Sequence, residues 1–216
     1  MEFTPLRQIG RRFAYNRDRV SHLIEVHKAI GGSKKLKAAY RSDILRSAVV
    51  LLHAALEDLL REMIRSKAAE DPGALYKQLV FPGSLGDTKV YQKIEVADLE
   101  RFRGITVEDL IQRCVDNYLA RRSFNNKSEL VSAITAAGLI PGNFSEYFDD
   151  VVEAISRRHK IVHEGDRTSL SSKTHGKRVK IDEADVTRWL NAVTGLGKQM
   201  LKEASPAAAT DEESNV

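Results

Sequence analysis

Apolar residues recur at every third or fourth position along most of the chain, which is the spacing of one buried face of an α-helix. The longest such pattern occupies the segment "RSDILRSAVVLLHAALEDLLREMIRS", in which apolar side chains recur from Leu45 to Met63. The whole segment is long enough for about seven helical turns. It is therefore predicted to form the central helix of the core.

Residues that start and stop helices divide the rest of the pattern into shorter helices. These predicted helices run from about Arg11 to Ile30, from Thr106 to Arg122, from Ser128 to Gly138, from Asn143 or Ser145 to Glu164, and from Asp182 to Ala204. The predicted buried face of the last helix consists of Val186, Trp189, Val193, Leu196 and Met200. Weak strand patterns are confined to residues 89–96 and 177–181. The chain is therefore predicted to be mostly helical.

Changes in composition predict three parts and one insertion. Residues 1–39 are predicted to form an N-terminal helical extension, residues 40–204 a helical domain, and residues 205–216 a disordered acidic tail. Glycine and proline are frequent in residues 70–104, so this segment is predicted to be an irregular insertion between core helices.

The overall composition, with 42% hydrophobic and 30% charged residues, is that of a soluble globular protein. No apolar run approaches the length of a membrane span, and the first residues lack an apolar signal segment. A single cysteine, Cys114, excludes an intrachain disulfide, and its helical spacing from Leu110 and Ile111 predicts a buried structural thiol. These features favour a reducing, cytoplasmic environment.

Positive charge is concentrated near the end of the chain, although the net charge is only +4. Between Ser156 and Arg178 there are seven Lys and Arg residues and two Asp and Glu residues. Such an excess favours an anionic partner, and RNA is the partner expected. The predicted RNA-binding residues are Arg157, Lys160, Arg167, Lys173, Lys177 and Arg178. The alternative is an ordinary basic surface with a mobile, solvated loop at residues 166–178.

The segment "SRRHKIVHEGD", residues 156–166, combines an arginine with two histidines near a predicted helix end. The partial negative charge of that helix end favours a protonated His163. RNA cleavage by its own 2′-hydroxyl needs proton removal, stabilisation of a charged phosphorane and protonation of the leaving group. Because one such histidine cannot serve as both acid and base at once, a two-fold dimer with the motif at its interface is expected.

The segment "RHKIVH" resembles the signature of the HEPN superfamily, in which an arginine, a polar residue and three variable residues precede a histidine. The same spacing occurs at Arg17 to His22, and a looser one at Arg46 to His53. Residues 158–163 differ in their context, because "SFNNKSELVSAITAAGL" and "FSEYFDDVVEAIS" precede them and "EGD" follows. This order is similar to the RiboL-PSP-HEPN subfamily over roughly residues 40–203.

The resemblance implies an all-α HEPN-type bundle that dimerises around the motif and cleaves RNA without a metal or other cofactor. By position, Arg158 would stabilise the scissile phosphate, His163 would transfer protons and His159 would orient or assist them. Glu57 on the central helix would orient Arg158. The resemblance also suggests a toxin or phage-defence effector, with an antitoxin or sensor protein as a further partner. Its alternative is a catalytically inactive RNA-binding or protein-interaction module.

Other roles stay open for several of these residues. His159 and His163 lie at positions i and i+4, so they could bind a metal together with Glu164 or Asp166, although no glutamate directly follows His159 as in zinc peptidases. Glu57 could be a structural or solvated carboxylate. The remaining candidates are expected to be structural: His53 as a core histidine, and Arg17 and His22 as surface residues.

Overall fold

The computed structural model describes residues 6–31, 38–70, 99–168 and 178–205, together with positions 75 and 79. Within these residues the chain is all-α, as predicted, with six α-helices and two short 3-10 helices. The α-helices are α1 (Leu6–Ile30), α2 (Ala38–Glu70), α3 (Val107–Ala120), α4 (Lys127–Ala136), α5 (Phe148–His163) and α6 (Glu183–Glu203). The 3-10 helices span Glu100–Phe102 and Pro141–Tyr147. No helix in the described ranges is both long and apolar enough to cross a membrane.

Helix α2 lies at the centre of the bundle and contacts α1, α5 and α6. The apolar positions that recur every three or four residues along it are almost fully buried, as the sequence pattern predicts: Leu45, Ala48, Val49, Leu52, Leu56, Leu59, Leu60 and Met63. Helix α1 also belongs to this core, because Ile9, Phe13 and Val20 are buried in the same cluster. The helix predicted to lie in an N-terminal extension is therefore packed into the bundle.

Side chains cap three of the helices at their N-termini. Thr106 and Asp182 act as predicted, because Thr106 Oγ1 accepts a hydrogen bond from Asp109 N and Asp182 Oδ1 accepts one from Asp185 N. Helix α4 begins at Lys127, one residue earlier than predicted, and Asn126 Oδ1 caps it by accepting a hydrogen bond from Glu129 N. All five positions predicted to form the buried face of α6 are buried.

The predicted cap of α5 at Asn143 or Ser145 is wrong. Residues 141–147 form a 3-10 helix instead, with Pro141 at its first turn, and no side chain caps α5 itself. Asn143 is drawn into a tertiary contact, in which its Nδ2 donates to Glu203 Oε2 at 3.1 Å. That contact with α6 removes the amide group from the position of a local cap.

After α5, the chain reverses at two successive residues with positive φ, Gly165 at 62° and Asp166 at 56°. Gly165 ends the helix as predicted, since glycine adopts this conformation without a steric cost. Of the predicted strand at 177–181, the described part forms only one isolated bridge, between Arg167 and Arg178. The predicted strand at 89–96, most of the insertion and the acidic tail beyond position 205 lie outside the described residues.

Candidate functional site

Helix α5 carries the Arg-to-His motif on the side that the core leaves free. Its apolar residues Phe148, Val151, Ala154 and Ile155 face the bundle and are buried. Because successive residues turn by about 100° around a helix, the motif residues that follow are distributed between a half-buried side and an exposed side. Arg157 and Arg158 are half-buried, and His159, Lys160, Val162 and His163 are exposed.

Arg157 is bound inside the protein. Its Nη2 atom donates to Asp166 Oδ2 at 2.9 Å and to the carbonyl oxygens of Val179 and Lys180, each at 3.1 Å. Burial lowers the pKa of Arg157, and the neighbouring Asp166 charge opposes this shift. Arg157 is predicted from the sequence to bind RNA, but this guanidinium ties α5 to the chain at residues 179–180.

Asp166, which accepts one of these hydrogen bonds, is 1% exposed. Its Oδ2 atom accepts a second hydrogen bond, at 2.6 Å, from Arg46 Nε on α2. The backbone of Asp166 is held as well, because its N–H donates to Lys160 O and its carbonyl accepts from Val179 N. The carboxylate of Asp166 is thus committed to two guanidinium groups rather than to the histidines of the motif.

Arg158 has a different environment from Arg157. Its Nη1 atom donates to Asn125 Oδ1 at 3.4 Å, so its hydrogen-bonding partner is a neutral amide from the loop before α4. Its buried Nε atom has no hydrogen-bond partner. Arg158 forms no ion pair within the described chain, because Glu57, whose carboxyl group interacts with its charge, lies beyond ion-pair distance. The guanidinium of Arg158 can therefore receive an external anion.

Two titratable residues of α2, His53 and Glu57, lie close enough to Arg158 to be affected by its charge. Burial, and then the positive charge of Arg158, lowers the pKa of His53 to about 4, against a smaller opposing effect of a backbone hydrogen bond at Phe124. Burial raises the pKa of Glu57, while Arg61 and Arg158 act in the opposite direction. His53 is a buried histidine, as predicted, and its Nε2 atom has no partner.

The two histidines of the motif lie side by side on the exposed side of α5. The ring centroids of His159 and His163 are 4.7 Å apart, with an angle of 41° between the rings. Among the described residues, no hydrogen bond or ion pair joins Arg158 to His163. In one chain, Arg158 is therefore half-buried, whereas the imidazole rings of His159 and His163 are exposed.

The other predicted RNA-binding residues fall into two groups. Lys160, Arg167 and Arg178 are exposed near the end of α5, and Arg178 Nη1 also pairs with Asp43 Oδ1 at 2.5 Å. Lys173 and Lys177 lie outside the described residues. The described part of the chain contains no cluster of three or more His, Cys, Asp or Glu residues that could hold a metal ion.

The two other stretches with motif-like spacing have different environments. His22 is exposed on α1, and Arg17 pairs with the adjacent Asp18. Arg46 and His53 are both buried, and Arg46 is engaged by Asp166. Unlike these two stretches, residues 158–163 combine an exposed histidine pair with an arginine that forms no ion pair among the described residues.

Asn125 is the residue of this site that the sequence analysis omits. Nothing in the local pattern marks it, because Arg158 lies 33 positions away in the chain. The one local signal is the helix-start pattern from Asn126 to Glu129, which predicts the start of α4 but no contact with α5.

The all-α bundle, with an Arg-to-His motif on a helix that packs against the central helix, defines a HEPN-type domain. The family model RiboL-PSP-HEPN matches residues 14–203, and the chain belongs to this family. The match includes most of α1 and so begins before residue 40, where the sequence resemblance was expected to start. No curated protein and no solved structure matches the chain.

Proposed function

We propose that this protein is a metal-independent endoribonuclease that cleaves RNA through attack by the 2′-hydroxyl group. The observation that carries the proposal is the environment of Arg158. Its guanidinium forms no ion pair among the described residues and has an unpartnered Nε atom, whereas the adjacent Arg157 is bound to a buried carboxylate. An arginine held in this way, next to an exposed histidine pair, is suited to binding a phosphate group.

Each residue of the motif has a distinct role in this proposal. Arg158 stabilises the negative charge that develops on the phosphorane, and Glu57 supports its position from α2. His163 transfers protons, and the neighbouring ring of His159 orients or assists it. The exposed side chains of Lys160, Arg167 and Arg178, together with Lys173 and Lys177, bind the RNA backbone.

The active form is proposed to be a homodimer. Within one chain no hydrogen bond joins Arg158 to His163, and cleavage needs both an acid and a base. A two-fold axis near α5 supplies two copies of each group in one cleft. Val162, an apolar side chain that is 48% exposed in the same turn of α5 as His163, would lie in this interface. A toxin or phage-defence role, with an antitoxin or sensor protein as regulator, belongs to the same proposal.

The second candidate function is an RNA-binding or protein-interaction module without activity. The lack of a hydrogen bond between Arg158 and His163 within one chain favours it, because a site that is never completed by a second copy cannot cleave. Such a module would retain RNA affinity that falls with increasing salt, but it would produce no cleavage products.

The test compares an RNA oligonucleotide with the same strand containing 2′-deoxy sugars, both in excess chelator. We expect cleavage of the RNA alone, with a 2′,3′-cyclic phosphate at the new end, because the nucleophile belongs to the substrate. Arg158→Ala should lower the rate constant of cleavage by about 10²–10³-fold, as expected for the loss of one charge-stabilising group. The matched control is Arg157→Ala. It should lower the free energy of unfolding by about 1–3 kcal/mol and change cleavage by less than tenfold, since it removes an internal tie.

Three results would contradict the proposal: cleavage of the deoxy strand, loss of RNA cleavage on chelation, or equal effects of the two arginine substitutions on the cleavage rate. RNA binding without cleavage by the dimeric protein would favour the inactive module.

A further inference from the structure

The loop between α3 and α4 has an unusual backbone conformation where it meets α5. Phe124 in this loop has φ of 47°, in the left-handed region that an aromatic residue seldom adopts. Its ring is nevertheless buried, at 2% exposure. A conformation of this kind costs on the order of 1–3 kcal/mol and persists only where the surroundings enforce it.

Arg61 of α2 holds the first part of the loop, from the end of α3 to Phe124, in this conformation. Its Nη1 and Nη2 atoms donate to the carbonyl oxygens of Leu119 and Arg122, and its guanidinium lies 5.3 Å from the centroid of the Phe124 ring. One side chain therefore binds the end of α3, the following backbone and the strained residue.

Glu129 of α4 holds the second part of the loop, around Asn125. Its Oε2 atom accepts hydrogen bonds from the backbone N–H of Asn125 at 2.7 Å and from Ser123 Oγ at 3.3 Å. Asn126 Oδ1 then caps α4 by accepting from Glu129 N at 2.9 Å. The backbone of Asn125 is thus held by Glu129 through its N–H group.

The side chain of Asn125 points from this fixed backbone to Arg158, and its Oδ1 atom accepts from Arg158 Nη1. The titratable groups that act on Arg158 from the facing helix are His53 and Glu57 of α2. An amide oxygen accepts a hydrogen bond without adding a negative charge. It can therefore orient the guanidinium and leave its charge for the substrate, which a carboxylate such as Asp166 cannot do for Arg157.

We propose that Asn125 is a positioning residue, held by the strained turn at Phe124, that orients the Arg158 guanidinium through a neutral amide. This inference rests on the proposed function in assigning Arg158 to the scissile phosphate. The contact between the two side chains can be tested independently of cleavage.

The experiment records the ¹⁵N–¹H signal of the Arg158 Nε–H group, which Arg158→Lys identifies by removing it. Asn125→Ala should shift or broaden this signal and lower kcat at least tenfold, with a smaller change in KM. Asn125→Asp should keep the signal in a well-ordered environment, because a carboxylate still accepts the hydrogen bond. It should nevertheless weaken RNA binding at least tenfold, since it neutralises the charge. The matched control, Asn126→Ala, should lower Tm and leave the signal and kcat unchanged.

An unchanged Arg158 signal in Asn125→Ala would overturn the inference, whether or not the protein cleaves RNA. The same signal change in Asn126→Ala would also overturn it, because a general loosening of the loop would then be responsible. Wild-type affinity for RNA in Asn125→Asp would refute the requirement for a neutral amide. If the wild-type protein cleaves no RNA, the proposed function fails, while the Nε–H signal still decides whether Asn125 orients Arg158.

Discussion

At the scale of single residues, two buried groups affect neighbouring arginines in different ways. The carboxylate of Asp166 pairs with both Arg46 and Arg157 in the interior. The imidazole of His53 is kept neutral at neutral pH by burial and by Arg158, so it neither pairs with Arg158 nor repels it. The arginine that faces the neutral group is the one proposed to bind phosphate.

The environment of His53 predicts how stability depends on pH. Its pKa is about 4 in the folded protein and 6.5 as an ordinary value, so the unfolded chain binds the proton first as the pH falls. The free energy of unfolding should therefore decrease as the pH falls from about 6.5 towards 4, by up to roughly 3 kcal/mol at 1.36 kcal/mol per pKa unit. His53→Leu should make this profile flatter, as measured by urea unfolding between pH 7.5 and 5.

The control for this measurement is His22→Leu, because His22 is exposed on α1 and should leave the wild-type profile unchanged. Glu57 contributes with the opposite sign, since its raised pKa favours the folded state as the pH falls through that raised value towards 4.5. The comparison is therefore made between two proteins that both contain Glu57, so that its contribution is common to both profiles. Equal slopes for the wild type and His53→Leu would show that His53 is not the group responsible.

At the scale of elements, α6 packs tightly against α1 and α2 at Gly197. A Cβ atom at this position would lie 2.4 Å from a ring carbon of Phe13 and 2.9 Å from Leu59 Cδ2. Both neighbours are buried core side chains, so neither can move away freely. The absence of a side chain at Gly197 therefore allows the three helices to pack together.

Two glycine substitutions in helices should have opposite effects for this reason. Gly197→Ala should lower the free energy of unfolding by about 1–3 kcal/mol, because overpacking outweighs the gain in helix propensity. Gly10→Ala should raise it by up to about 1 kcal/mol, since its new Cβ would meet only Leu201 Cδ1 at 3.5 Å, an ordinary contact. Thermal or urea unfolding checks both, and a stabilising Gly197→Ala would contradict the close approach of α6.

At the scale of the whole molecule, the exposed face of α5 is the surface proposed to meet a second copy of the chain. Val162→Asp should convert the dimer to a monomer in light scattering, because it places a charge in an apolar contact. Ile140→Asp is the matched control, since Ile140 is 68% exposed but precedes the 3-10 helix at 141–147. The mass of that variant should stay at the wild-type value.

The cationic residues around the motif predict that the free dimer weakens at low salt and tightens when RNA is added, since the polyanion screens their repulsion. A wild-type protein that remains monomeric at every concentration, with and without RNA, would refute a site built from two chains.

The sequence by itself determined the features that depend on neighbouring residues. The helical periodicity placed the buried face of α6, and the caps at Thr106 and Asp182 were predicted because a cap is formed with a backbone group three residues away. The order of the motif and its flanking segments was enough to predict the HEPN-type family.

Only the tertiary structure decided which of two adjacent arginines is bound in the interior. The motif spacing assigns Arg158 to the phosphate by resemblance, but no local pattern predicts that a buried carboxylate binds Arg157. Asp166 compensates Arg157 together with Arg46, which is 120 positions away from Asp166, and Asn125 reaches Arg158 across 33 positions. Such contacts depend on how the helices pack against one another, because packing brings distant residues together and excludes water from the charges that it buries.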